Sequence, residues 1–410
     1  MTKNLRNILA NFVYREDGKN SKTRIVKVTI DGQTIPKYTN EFWTAKQRQA
    51  HSLHEVSYRA CFKPQLPRFF IERCTNIGDI VYDPFSGRGT TILEAALCGR
   101  KVIANDVNPL STILSWPRLY PPSLEAIEDR LLSIPLRPNE RPEIPLSMFF
   151  HKKTLVEILS LKKYLAARKR SGKEDHVDRW IRMVATNRLT GHSSGFFSVY
   201  TLPPNQAMSR ESQIKVNKER NQKPEYRDTK TIILKKSAVL MRDISKEEKL
   251  LLQRSGKTGK FLIGDARMTK KIRGSSVQLV VTSPPFLDVV QYAQDNWLRC
   301  WFNGIDAVMI GSRITMSRSV EDWCQVMGDV FAELYRVVRK NGVIAFEVGE
   351  VRNGKVRLEE FVMQLGIVAG FRCEAVMINR QLFTKTANIW GVSNNAMGTN
   401  SNRIVVFRKK

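Results

Sequence analysis

Apolar and polar positions recur along the chain with two periods, and the points where the period changes mark where elements begin and end. Near the N-terminus Leu5, Ile8, Leu9, Phe12 and Val13 fall at helical spacing, which predicts a short docked helix. "TRIVKVTIDGQTIPKY" then alternates residue by residue and turns at Asp31-Gly32, the pattern of a β-hairpin. Residues from about 40 to 75 are aromatic and basic and predict a loop followed by a helix. "GDIVYDPFSGRGTTILEAALCGRKVIANDVNPLS" reads as strand, glycine-rich turn, helix and strand, the clearest β-α-β unit of the sequence.

From about residue 121 the pattern changes. "PPSLEAIEDRLLSIPLRPNERPEIP" is proline-punctuated helix and linker, and residues 153–185 predict two basic amphipathic helices around "RKRSGKEDH". Residues 186–230 carry little periodicity and are rich in Ser, Gly, Pro and Asn, as a functional loop would be. The β-α alternation resumes with "GKFLIGDAR", "VQLVVTSPPF", the helical "VEDWCQVMGDVFAELYRVVRK" and "GVIAFEVGEV"; "FRCEAVMINRQLF" and "NRIVVFRKK" add two strands. Two β-α blocks therefore flank a basic insertion, which predicts one doubly wound α/β sheet interrupted by a largely helical region. The expected divisions are an N-terminal helix and hairpin arm (1–50), a first half of the sheet domain (51–120), the insertion (121–254) and a second half (255–410).

Charge narrows the choice of partner. The 410 residues hold 67 Lys+Arg against 39 Asp+Glu, a formal net charge of +28, and such a field favours a polyanion. Residues 151–260 alone hold 26 basic and 11 acidic side chains. They are spread over segments of differing type, which favours nucleic acid over a membrane surface; a solubilising surface is the alternative. The six cysteines contain no C-x-x-C pair and match no zinc spacing, so they read as reduced thiols of an intracellular, cytoplasmic protein without a metal site. No apolar run approaches the length of a membrane span.

Two stretches carry candidate chemistry. In Asp83-Pro84-Phe85-Ser86-Gly87-Arg88-Gly89-Thr90-Thr91 a strand hands over to glycines that let a ligand approach the backbone, and a helix follows. Asp106 ends the next strand, 23 residues after Asp83, where an acid can accept hydrogen bonds from ribose hydroxyls. The third glycine of a dinucleotide fingerprint is missing, so a different nucleotide cofactor is expected. In "VVTSPPFLDVVQY" two prolines end a β-branched strand, since neither has the N–H that a ladder requires.

Together these stretches resemble the amino-directed DNA methyltransferases: "DPFSGRGTT" is similar to their cofactor motif and Ser283-Pro284-Pro285-Phe286 to their catalytic motif. Adenine-N6 members of that family carry Asp or Asn before Pro-Pro, whereas cytosine-N4 members carry Ser. The resemblance implies a seven-stranded, mostly parallel, Rossmann-like methyltransferase sheet with an inserted recognition region. It also implies S-adenosyl-L-methionine as cofactor and double-stranded DNA as substrate. A cognate restriction endonuclease is a partner that activity would not require.

An exocyclic amine is a poor nucleophile because its lone pair is delocalised into the ring. Acceptors at a fixed angle, Ser283 Oγ and the Pro284 carbonyl, would localise that lone pair, while the prolines freeze the backbone and Phe286 offers a stacking face for an extruded base. The absence of a Pro-Cys pair argues against the cysteine-dependent cytosine-C5 route.

Further matches are Phe62-Lys63-Pro64, similar to the family's segment closing over the methionine end of the cofactor or else a helix-entry loop, and Asp265, similar to its acid near the adenine amine or else a helix cap. Asp288, Tyr292 and Asp295-Asn296-Trp297 are further pocket candidates, although inward packing of a helix explains most of that run. The order of segments resembles the arrangement in which target recognition lies between cofactor and catalytic halves. The leading expectation is therefore a cytosine-N4 DNA methyltransferase. Adenine-N6 transfer, transfer to an RNA amine, and a non-catalytic nucleic-acid-binding protein are the alternatives.

Overall fold

The computed structural model describes residues 5–380 and 401–410, apart from 17–18, 31, 44–49, 60, 205, 286–291, 315–318 and 350–355. The N-terminal arm forms helix α1 (Leu5–Ala10), a small hairpin of β1 (Val13–Glu16) and β2 (Lys19–Lys22), and a second hairpin of β3 (Arg24–Ile30) and β4 (Gln33–Asn40). Then follow α2 (Gln65–Cys74), β5 (Ile80–Asp83), α3 (Thr90–Leu97), β6 (Lys101–Asp106) and α4 (Leu110–Ser115). Six helices fill the next stretch: α5 (Leu124–Ser133), α6 (Lys152–Arg170), α7 (His176–Arg188), α8 (Arg210–Glu219), α9 (Thr229–Met241) and α10 (Lys246–Thr258). The chain closes with β7 (Lys260–Ile263), β8 (Val277–Thr282), α11 (Tyr292–Asn303), α12 (Ala307–Arg313), α13 (Val320–Val337), β9 (Val338–Val348), α14 (Leu358–Val368), β10 (Phe371–Arg380) and β11 (Ser401–Lys409).

The strands form one sheet in the order β3-β4-β10-β11-β9-β8-β5-β6-β7. Strands β7, β6, β5, β8 and β9 run parallel, and β11 is antiparallel to both its neighbours, β9 and β10. Those seven strands are the expected sheet. The count is nine because the second N-terminal hairpin adds to its edge, with β4 lying parallel to β10. Alternation along each strand sends successive side chains to opposite faces. Val81, Leu279, Val281, Val343 and Val406 meet the helices of one layer, and Tyr82, Val280, Ile344, Phe346 and Phe407 meet α13 and α14 on the other. β8 is buried at every position, as a central parallel strand covered on both faces must be.

The insertion is helical, and its buried residues are continuous with the first layer: Ile127, Trp180, Ile181, Ile233 and Leu240 share one core with Leu93, Leu114 and Leu119. Strand order reverses between β5 and β8, so their C-terminal ends diverge and leave a crevice.

Candidate active site

A cavity of about 890 Å3, counting the solvent at its mouth, opens where β5, β6, β7 and β8 end. Of the sequence candidates, Phe62, Asp83, Pro84, Phe85, Ser86, Gly87, Thr90, Asp106, Asp265, Ser283 and Pro285 line it. Lys63 and Pro64 line an adjoining cavity that shares Tyr58 and Cys61 with the first. Gly89, Thr91 and Pro284 are not among the first cavity's lining residues, although Pro284 sits between Ser283 and Pro285, which are, and Phe286 and Asp288 lie outside the described residues.

The glycine turn is held from several directions. The Thr282 hydroxyl donates to Asp83 Oδ1 at 2.6 Å and the Phe85 N–H to the same oxygen at 3.2 Å, tying the end of β8 to the end of β5. Asp106 accepts from the Gly87 N–H at 2.8 Å and the Asn108 N–H at 2.9 Å, so its two oxygens fix the turn against β6. Asn105 Nδ2 reaches the carbonyls of Pro84 (3.2 Å) and Gly264 (3.0 Å), fastening three strand ends together. Gly89 adopts φ +77°, and a Cβ there would stand 2.4 Å from Ser115 Cβ. Conformation and space therefore both demand glycine. Thr91 turns away from the cavity and donates to the Val281 carbonyl at 3.0 Å, pinning α3 to β8. Beneath the turn the fully buried Arg118 donates to the carbonyls of Leu114, Leu53 and Arg88, with no carboxylate among its hydrogen-bond partners.

Burial sets the electrostatics. It raises the Asp83 carboxyl to about 7, against hydrogen bonds from Thr282 and Phe85 that favour the anion. It raises Asp106 to about 6, against backbone N–H bonds from Asn108 and Gly87. Two such buried carboxyls in one crevice favour a cationic ligand.

At the end of β8, Ser283 and Pro285 face the cavity while Pro284 is buried. The Trp323 indole N–H, from α13, donates to the Pro285 carbonyl at 2.9 Å and holds the turn in place. Asp265 lines the cavity, but its carboxylate is engaged by Arg267 through contacts of 2.7 to 3.1 Å. Asp295 of α11 pairs with Arg59 at 2.9 Å and Trp297 donates to the Met208 carbonyl at 3.1 Å, so these residues brace the 204–208 loop. Tyr58, Asn105, Arg118 and Trp323 were not singled out from sequence. Only Asn105, a polar residue inside an apolar strand, carried a local signal.

Strand order and the glycine turn at its switch point define a doubly wound, Rossmann-like α/β fold. Residues 10–110 match a family profile described as DNA methylase, the N6/N4 methyltransferases. The Type II methyltransferase M.MjaII of Methanocaldococcus jannaschii is 30% identical over 89 residues, 22% of this chain and 16% of that protein. The Type II methyltransferase M.MvaI of Kocuria varians is 37% identical over 67 residues, 16% of this chain and 15% of that protein. A TehB-like SAM-dependent methyltransferase from Corynebacterium glutamicum aligns over 84% of this chain and 87% of its own at 8% identity, with a TM-score of 0.31. The profile and the two Type II methyltransferases make residues 10–110 and the matched segments similar to amino-directed (N6/N4) DNA methyltransferases. The matched segments span about a sixth of the two curated relatives.

Proposed function

We propose that this protein is a site-specific DNA methyltransferase that moves a methyl group from S-adenosyl-L-methionine to the exocyclic N4 amine of a cytosine flipped out of duplex DNA. The observation that carries the reading is that Ser283 and Pro285 share one cavity wall with Asp83, Ser86, Gly87 and Asp106. The cavity suits the cofactor. The Ser86 hydroxyl on its wall is buried and has no hydrogen-bond partner among the described residues, and the two carboxyls suit a ligand that carries cations and ribose hydroxyls. Asp106 and Ser86 would hold the nucleoside, and Phe62, Phe85, Ile314 and Val330 would supply apolar walls. When bound, the cofactor supplies an electrophilic methyl group.

The chain's own part is to present acceptors and exclude water. Ser283 Oγ would accept one N–H of the base, and the Pro284 carbonyl the other, drawing the lone pair out of the ring. The Pro285 carbonyl is already held by Trp323 and has a different task, fixing the turn. Serine before Pro-Pro favours cytosine. A restriction endonuclease as partner and a cytoplasmic location belong to the same reading. Among the described residues no helix is long and apolar enough to cross a membrane.

The test is incubation with duplex DNA and labelled S-adenosylmethionine, digestion to nucleosides and identification of the product. N4-methylcytosine is expected. N6-methyladenine would move the assignment within the family, and label found only in RNA would overturn the DNA substrate.

A further inference from the structure

One buried carboxylate beside the proposed catalytic turn has no part in the mechanism so far. Glu347 lies near the end of β9 and is 6% exposed. Its strand is flanked by β8, where Thr282 pairs with Phe346, and by β11, where Ile404 pairs with Glu347. The residue after Thr282 is Ser283, so the register brings Glu347 level with the Ser-Pro-Pro turn. That register sets the Ser283 side chain beside Glu347, where it favours the charged carboxyl, and Glu347 Oε1 accepts from Asn402 Nδ2 at 3.0 Å. Within β9 it stands in an apolar run, "GVIAFEV", where six of seven positions are hydrophobic or glycine. A lone acid in such a strand costs stability and needs a reason.

We propose that Glu347 is the positioning residue for Ser283: it takes the Ser283 O–H, so that the serine's lone pairs face the base amine, and it receives through Ser283 the proton that the amine must lose. This rests on the methyl-transfer reading above. As the base nitrogen forms its bond to the methyl carbon, the carbon–sulfur bond breaks with its electron pair leaving on sulfur. The nitrogen then carries two protons and a positive charge. One N–H bond breaks, Ser283 Oγ gains that proton, and the original Ser283 proton passes to Glu347. The products are a neutral methylamine and a neutral carboxyl, which returns its proton to solvent when the site opens. No oxidant or other co-reactant is required.

The surroundings suit the role. The elements packed against Glu347 face it with Ser283 from β8 and Asn402 from β11, both neutral. Burial raises its carboxyl above the ordinary value, with Ser283 and Asn402 acting the other way, and among the described residues no charged neighbour contributes. Asp83, the next carboxyl along the strand ends, is occupied by Thr282.

The experiment compares wild type, Glu347→Gln, Ser283→Ala and the double variant, with kcat, both KM values and the pH profile of kcat measured for each. Glu347→Gln keeps the shape and loses the charge. It should lower kcat by about 10²-fold with both KM values little changed, and it should remove the acid limb of the wild-type profile. In the Ser283→Ala background the same change should cost nothing more, because the two residues act as one unit. An infrared difference titration should show a buried carboxyl signal that Glu347→Gln abolishes while those of Asp83 and Asp106 remain. Additive losses, an unchanged acid limb, or equal kcat in wild type and Glu347→Gln would overturn the proposal. Should Glu347→Gln fail to fold, Asn402→Ala replaces it, with a shifted acid limb expected and an unshifted one overturning the idea. If the wild type itself transfers no methyl group to DNA, the methyl-transfer reading fails instead, and the two failures are distinct.

Discussion

Asp83 and Asp106 do two jobs with one pair of carboxyls, and their protonation tells the two apart. As acceptors for Thr282, Phe85, Gly87 and Asn108 they hold the strand ends together. As buried acids raised from 3.8 to about 7 and about 6, they bind more protons in the folded chain than in the unfolded one across that interval. Without ligand, their contribution therefore favours the fold at the acidic end and is lost as pH rises toward 7. A cationic cofactor needs the ionised forms, so its affinity should run the opposite way. Titration calorimetry should find S-adenosylmethionine binding tightening from pH 5.5 to 8, by up to about tenfold per unit for each proton released. Asp106→Ala should weaken binding and remove the lower step. At Gly89, alanine must enter the left-handed region and meet Ser115, which should cost about 3 kcal/mol in denaturant unfolding. A loss under 1 kcal/mol would mean that α4 can give way.

At the scale of elements, the Ser-Pro-Pro turn is rigid because two strands and a helix converge on it, and the prolines are only part of that. Trp323 reaches it from α13, whose start is fixed by Ser319 accepting from the Asp322 N–H, with Glu321 and Asp322 in the first turn. Trp323→Phe keeps the packing and deletes the N–H. It should lower kcat about tenfold while leaving cofactor affinity unchanged, about 1.4 kcal/mol of lost positioning. Equal loss in cofactor binding would show that the indole supports the whole cavity. This contact also marks where the sequence stops being legible. Hairpin β3–β4, the β5–α3–β6 unit and the glycine turn announce themselves through near neighbours: alternation, a glycine turn, a spaced acid. Trp323 and Glu347 acquire meaning only once strand order sets β8 between β5 and β9, which no local pattern encodes. The join of β4 to β10, which extends the sheet to nine strands, is illegible for the same reason. The stretch 186–230, expected to be aperiodic, holds a loop at 190–201 but also helix α8 (Arg210–Glu219), whose mostly polar sequence gave no apolar stripe to read. What shapes the loop, Arg227 donating to the carbonyls of Ser193, Phe196 and Ser198, lies more than 25 residues away.

The molecule as a whole carries far more positive charge than its ion pairs absorb, and the pairs show which of it is spoken for. Within the basic helices Lys162 pairs with Glu143, Lys163 with Glu140, Arg168 with Asp175 and Asp178, and Arg182 with Glu174. Those side chains build the insertion, whose core is one with that of the sheet, so removing them should disturb stability. Lys152, Lys153, Lys169 and Arg170 are exposed and have no ion pair among the described residues. They are free to neutralise phosphates and release counterions from a polyanion. Binding of a duplex oligonucleotide should therefore weaken linearly in log Kd against log salt. Replacing Lys152 and Lys153 together by Gln should flatten that slope by about 1 to 2, leaving the melting temperature unchanged. Arg182→Gln should do the reverse, lowering the melting temperature with the slope intact, because its guanidinium is held by Glu174 and the Leu165 carbonyl. An unchanged slope in the double lysine variant would move the nucleic acid off α6. It would then point to the cleft where Arg188, Lys236 and Arg242 surround the Glu55 carboxylate beside Tyr58, a wall shared with the cavity at the strand ends.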